Sequence, residues 1–250
     1  MKNQTARHIG ITIVSVAFVL LMCFSAWRIF RPHERHVELD RSHYPIKGLD
    51  LSAHNGTPDF DSIAAAGIDF VYLKASEGES FRDTGFLRNY SQARKNGIAV
   101  GAYHFFRFDC DGRSQALNML QTVNGCNLDL PLAIDIEEAG NPANFSTELI
   151  ISRLETMVSY LRAYGYRVIV YTNKNGYTRF LLPSFGEPDE ETGLWICSFT
   201  NPPLPHKQWS LWQHSHKGRI PGVKGDVDMN TFNGDSTAWS AWLDRVGAEQ

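Results

Sequence analysis

PLAIDIEEAG, Pro131 to Gly140, carries an apolar run, Leu132, Ala133, Ile134 and Ile136, directly into three carboxylates, Asp135, Glu137 and Glu138. A short apolar run bounded by Pro and Gly reads as a buried strand. Residues i and i+2 share one face of a strand, so Asp135 and Glu137 point the same way, Ile134 and Ile136 face the packed side, and Glu138 falls out of phase.

Runs of the same kind recur along the chain: KGLDLS, FVYLKAS, AVGAYHFF, RVIVYTN, LWICSF, WSLWQHS and VDMNTF join LAIDIE to make eight candidate strands. Between the first five lie helical signals. In TPDFDSIAAAG, Thr57 is the expected cap, Pro58 sits in the first turn and Gly67 is the stop. In DTGFLRNYSQARKNG the corresponding residues are Asp83 and Gly97. STELIISRLETMVSYLRAYG sets Ile150, Leu154, Val158 and Leu161 on one stripe before Gly165. The later intervals, EPDEETG, NPPLPHKQ and HKGRIPGVKG, are rich in Pro, Gly and charge, and few helices fit there. This order predicts an α/β fold: an irregular, mostly parallel TIM-like barrel of five β/α units plus three strands. No GxGxxG or phosphate loop follows any strand, which weighs against a nucleotide fold.

In such a barrel the active face lies at the C-terminal ends of the strands. Carboxylates stand there repeatedly: Asp50 ends the first strand, Glu77 follows the second, Asp135 and Glu137 end the fourth, and Asp228 lies in the last. Two carboxylates held side by side repel each other when both are charged, which raises one pKa and keeps a proton donor near neutral pH. Glycoside hydrolysis requires that arrangement, because one carboxyl protonates the departing oxygen while a second group stabilises or attacks the sugar carbon. Capping or ion pairing is the structural alternative for each acid, above all for Asp50 and Asp228 taken singly.

The 250 residues, 43% hydrophobic and 20% charged, suffice for one sizeable domain and a small attachment. A net charge of −3, with 24 Lys and Arg spread along the chain, excludes a large basic surface and with it a nucleic-acid partner. IGITIVSVAFVLLMCFSAW, residues 9–27, carries no charge over about the length of a membrane-crossing helix. It predicts a transmembrane anchor after a cytoplasmic segment, residues 1–8, and before a polar linker, residues 28–43, with the catalytic domain over residues 44–250. A cleaved signal peptide competes with this reading, although the apolar run is longer than the usual hydrophobic core of a signal peptide and its polar edge lacks a good small-x-small site. LLMC, ending at Cys23, is a weak lipoprotein box because Met22 replaces the small residue. Lys2 and Arg7 on one side and Arg28, Arg31 and Arg35 on the other leave orientation open. Cys110, Cys126 and Cys197 are odd in number and form no CxxC pair, so reduced thiols are expected.

Taken in order, GLDLS, VYLKASEG, GAYHFF, LAIDIE, VIVYTN, LWQHS and VDMNTF resemble glycoside hydrolase family 25, the Chalaropsis-type lysozymes or N-acetylmuramidases, from about Ile46 to about Asn233. The resemblance implies cleavage of the β-1,4 bond between N-acetylmuramic acid and N-acetylglucosamine in peptidoglycan. It implies Glu137 as general acid, Asp135 as its partner, and Asp50 and Asp228 as further carboxylates of the site. It also implies Tyr103, Tyr171 and Trp212 as sugar-contacting residues, with Phe105 and Glu77 beside them; Trp195 is another aromatic near a strand end. His214 stands where relatives commonly have tyrosine. No cofactor or metal is expected, and a monomer that meets glycan strands and a membrane is. Peptidoglycan lies outside the cytoplasmic membrane, so the domain is expected on the outer face.

Rival readings are weaker. His214 and His216 lack an evident third partner for a metal. No GxSxG elbow is present, and Cys110 and Cys197 have no evident paired base. A chitinase-type barrel needs aspartates where this chain has Ala133 and Leu130. A non-catalytic, membrane-tethered glycan-binding module would keep the groove without needing all four carboxylates.

Overall fold

Strand β1, Lys47–Leu51, pairs in parallel with β2, Phe70–Glu77, on one side and antiparallel with the last strand, β9, Val227–Phe232, on the other. These two pairings close the sheet. In the computed structural model the order continues from β9 through β8 (Leu211–Gly218), β7 (Thr192–Cys197), β6 (Val168–Asn173), β5 (Leu132–Asp135) and β4 (Ala99–Phe105) back to β2. Eight strands form the barrel; β3, Phe81–Arg82, is a two-residue hairpin extension of β2. Every barrel pairing is parallel except the two made by β9.

The structure describes Met22, Val37 and residues 39–189, 192–199 and 209–247. The chain divides into two units, Met1–Arg35 and His36–Gln250, and the second carries the barrel. The anchor expected over residues 9–27, apart from Met22, and most of the linker lie outside the described residues. Among those described, no helix is long and apolar enough to cross a membrane.

Four helices follow the early strands: α1, Phe60–Ala65; α2, Phe86–Lys95; α3, Gly112–Val123; and α4, Thr147–Ala163. Two expected caps are replaced by neighbours. Asp59, not Thr57, accepts the first free amides of α1, from Asp61 and Ser62. Asp83 lies ahead of α2 and instead takes the amides of Gly85 and Ala53, tying the helix entry to the loop after β1. A helical run from Lys174 to Phe185, π-helical over Tyr177–Leu181, follows β6. The C-terminal helix α5, Ser236–Gly247, was not legible in the apolar pattern.

Side-chain alternation divides the core into two. Leu49, Val71, Leu73, Val100, Ile134, Ile136, Val170 and Ile196 face outward under the helices, where they meet Ile63, Met119, Leu154 and Val158. Phe70, Tyr72, Ala133, Ile169, Trp195 and Leu211 fill the barrel. The interior has room for these rings because two facing strand positions lack side chains. A Cβ on Gly48 would lie 2.1 Å from the Phe70 ring, and one on Gly101 2.4 Å from the Tyr72 ring. Trp239 of α5 packs on Phe70 and Phe232 and covers the lower end. The upper end, at the C-terminal ends of the parallel strands, stays open.

Candidate active site

The decisive stretch enters this open end as its alternation predicts. Ile134 and Ile136 are fully buried on the outer side, whereas Asp135 and Glu137 line a cleft of about 650 Å³ inside the mouth. Strand β5 ends at Asp135, yet the chain beyond it is held on both sides. Phe106 N donates to Asp135 O at 2.8 Å, Ile136 N to Tyr171 O at 3.0 Å, and Thr172 Oγ1 to Ile136 O at 2.8 Å. Asn141 then donates from Nδ2 to the carbonyls of Glu137 and Phe106, both at 2.9 Å, and accepts the amide of Phe108. These bonds hold the backbone of Glu137 without using its carboxyl. Glu138 points out of the cleft and pairs with Arg179.

Asp50 and Asp228 complete a group of four acids. They stand directly opposite each other on antiparallel β1 and β9, and their carboxyls are hydrogen-bonded. Asp228 is only the second residue of its strand, and it reaches the mouth because β9 runs against the others. Asp50 Oδ2 accepts from Asn230 Nδ2 at 2.8 Å and from Gln213 Nε2 at 3.0 Å. Those amides are oriented in turn: Trp195 Nε1 donates to Asn230 Oδ1 and the Tyr171 hydroxyl to Gln213 Oε1, both at 2.9 Å. Asn230 and Gln213 were not singled out from the sequence, although both lie within quoted strand motifs; their signal was position on the same inward face as Asp228 and Leu211.

Burial sets the electrostatics. It raises the pKa of Asp50, and the amides of Asn230 and Gln213 oppose that rise. Burial and then the charge of Asp50 push Asp228 up to about 8. A bond between two carboxyls needs one proton, and the donated amides favour the charge on Asp50 and the proton on Asp228. Burial also raises Asp135 well above the ordinary carboxylate range, with repulsion from Glu137 and Asp50 adding to it and Lys74 opposing it. Glu137 is raised by burial and by Asp50. Asp135 Oδ1 is buried without a hydrogen-bond partner.

The other expected residues divide. Tyr103, Phe105 and Tyr171 line the cleft, and Trp195 lies beneath, stacked on Tyr72 at 4.7 Å and edge-on to Tyr171 at 4.8 Å. Glu77 stands beside the cleft, its Oε2 taking Lys74 Nζ at 2.7 Å, with Arg107 3.8 Å from its other oxygen. Trp212 is a correction. It pairs with Ile196 across β7 and β8 on the outward face, is fully buried against Tyr44 and Trp209, and donates its indole N–H to Ser198 O. The same alternation that brings Gln213 into the barrel turns Trp212 away from the cleft. His214 shares that outward side: it is buried edge-on to Trp212, and burial lowers its pKa to about 4. His216 instead lines the cleft against Phe199, so the two histidines do not converge on one ion. Cys197 also lines the cleft, but burial pushes its thiol up to about 12, unsuited to a nucleophile. Cys110, Cys126 and Cys197 are unpaired. A smaller hollow, about 250 Å³, at the lower end of the barrel beside Trp209 and Trp242 contains none of the four acids.

Neighbouring acids whose pKa values are raised by burial, set over aromatic rings in an open barrel mouth, are the equipment of a glycosidase. Residues 49–223 match the family model of the glycosyl hydrolases family 25, and the chain belongs to that family. It is 31% identical to the uncharacterized protein YegX of Escherichia coli K12 over 81% of this chain and 75% of that protein. It is 32% identical to lysozyme M1 of Streptomyces globisporus over 76% of this chain and 69% of that one. A family 25 glycosyl hydrolase from Bacillus anthracis superposes with a TM-score of 0.73 at 29% identity, covering 84% of this chain and 97% of that one.

Proposed function

We propose that the protein hydrolyses the β-1,4 bond between N-acetylmuramic acid and N-acetylglucosamine in peptidoglycan, with Glu137 as general acid. The observation that carries this reading is the shared inward face of Asp135 and Glu137, where burial raises the pKa of both carboxyls and repulsion from Glu137 raises Asp135 further. The similarity to lysozyme M1 supports the choice of substrate.

In the productive form the proton rests on Glu137, which delivers it to the departing glycosidic oxygen. Asp135 is then the carboxylate, helped by Lys74. Its unpartnered Oδ1 can accept the N–H of the muramic 2-acetamido group, orienting that group's carbonyl oxygen to attack the anomeric carbon. Asp50, held by Asn230 and Gln213, supplies negative charge as the sugar becomes oxocarbenium-like. Water then opens the cyclic intermediate with Glu137 as base, so the first product retains its anomeric configuration. Release of the inverted anomer would rule out the neighbouring-group route.

The test of the function is digestion of purified peptidoglycan by the protein and by Glu137→Gln. New reducing ends at muramic acid, lost in the variant by about 10²–10⁴-fold, are expected. Binding without cleavage by the unmodified protein would favour a tethered glycan-binding module. The uncharged run 9–27 supports a single membrane anchor with the catalytic domain on the outer face. Protease added to spheroplasts should then degrade the domain, and full protection would refute this topology.

A further inference from the structure

Phe81 presents a large aromatic ring, 50% exposed, beside the cleft. Its backbone is tightly held. Phe81 pairs with Glu77, and Arg82 with Ser76, in the β2–β3 hairpin. Buried Asn118 of α3 donates to the carbonyls of Gly78 and Phe81, each at 3.0 Å, and Arg82 reaches Gln121 at 2.6 Å. Holding a chain this firmly while leaving a phenyl ring in water forgoes the burial that normally stabilises such a ring, and a partner that covers it would recover that burial.

The surroundings indicate which partner. Lys74 lines the cleft, and its ammonium lies 5.2 Å from the Phe105 ring centre and 5.5 Å from that of Phe81. Lys74 thus sits between Phe105 on the cleft wall and Phe81, which stands just outside the cleft. Glu77 neutralises Lys74 at 2.7 Å, so the strip offers apolar ring faces beside a satisfied ion pair rather than a free cation. A pyranose ring, with a C–H face and a hydroxyl rim, matches that surface better than an anion does.

We propose that Phe81 is an outlying sugar subsite that takes one further pyranose ring of the glycan strand, beyond those held over the four acids. This rests on the reading of the protein as a glycan-strand hydrolase. It makes longer strands better substrates than short ones.

The experiment compares full-length protein, Phe81→Ala, Phe81→Trp and Tyr164→Ala on two substrates, long peptide-free glycan strands and the shortest oligosaccharide that is cleaved. Tyr164, 62% exposed at the C-terminal end of α4, controls for loss of a surface aromatic. Phe81→Ala should lower the ratio of kcat/KM on long strands to that on short ones by roughly three- to tenfold, mainly through KM. Phe81→Trp should restore the ratio, and Tyr164→Ala should leave it alone. An unchanged ratio in Phe81→Ala would overturn the subsite while leaving the hydrolase reading intact. Absence of cleavage of either substrate by the unmodified protein would overturn both.

Discussion

The carboxyls of Asp50 and Asp228 face each other in register across the antiparallel pair β1–β9 and are hydrogen-bonded, with two side-chain amides directed at Asp50 alone. This asymmetry separates two acids that look alike in the sequence. The two donated amides favour the charge on Asp50 and the shared proton on Asp228.

Asp228 should make stability fall as pH rises. Its folded pKa of about 8 lies above the ordinary 3.8, so between these values the folded protein keeps a proton that the unfolded chain loses. This contribution is fully present below the unfolded value and is lost as pH rises through the folded one. Asp228→Asn removes the titration, so the Tm of the variant should exceed that of the unmodified protein by more at pH 8 than at pH 4. Equal differences at the two pH values in thermal melts would refute the shared proton.

Asp50 acts on Glu137 through its charge. Burial is the larger cause of the raised Glu137 pKa, and repulsion from Asp50 adds to it. Asp50→Asn should therefore shift the Glu137 titration, followed by carbon NMR of the labelled carboxyl, to lower pH. The alkaline limb of residual kcat should move the same way if Glu137 is the general acid, because it then loses its proton earlier. A limb that stays in place would remove Asp50 from the electrostatics of the donor.

Asn230 and Gln213 are positioning residues. Asn230→Ala strips Asp50 of one donor and leaves the buried Trp195 indole N–H unpaired, a cost of about 1–3 kcal/mol in urea denaturation. Gln213→Ala removes the other donor and releases the Tyr171 hydroxyl. Both should lower kcat with a smaller change in KM, and should move the pKa of Asp50 upward. A change confined to stability, with kcat and its pH profile intact, would reduce them to structural residues.

Trp212 belongs to the core. Trp212→Ala should cost about 3–5 kcal/mol in denaturant melts. Trp212→Phe, which keeps most of the ring volume, should retain the KM of the unmodified protein. A raised KM in a well-folded Trp212→Phe would return this side chain to the sugar site.

Whatever depends on spacing within one strand or on the order of elements could be read from the chain alone. Alternation over Pro131–Gly140 was sufficient to set Asp135 and Glu137 on one face and to exclude Glu138, because a strand's side chains alternate wherever it is placed. The run of strand and helix signals was sufficient for a closed barrel with its acids at one end. The tertiary structure decided what depends on closure. Asn230 is 180 positions from Asp50, and no local pattern relates them until β9 enters antiparallel and brings its first residues to the mouth. Trp212 shows the same limit from the other side. Its strand alternates as visibly as β5, but which phase faces the barrel was settled only by pairing with β7, where Trp212 lies beside outward-facing Ile196 and Gln213 beside Cys197. Period is a property of the chain, whereas inside and outside are properties of the closed sheet.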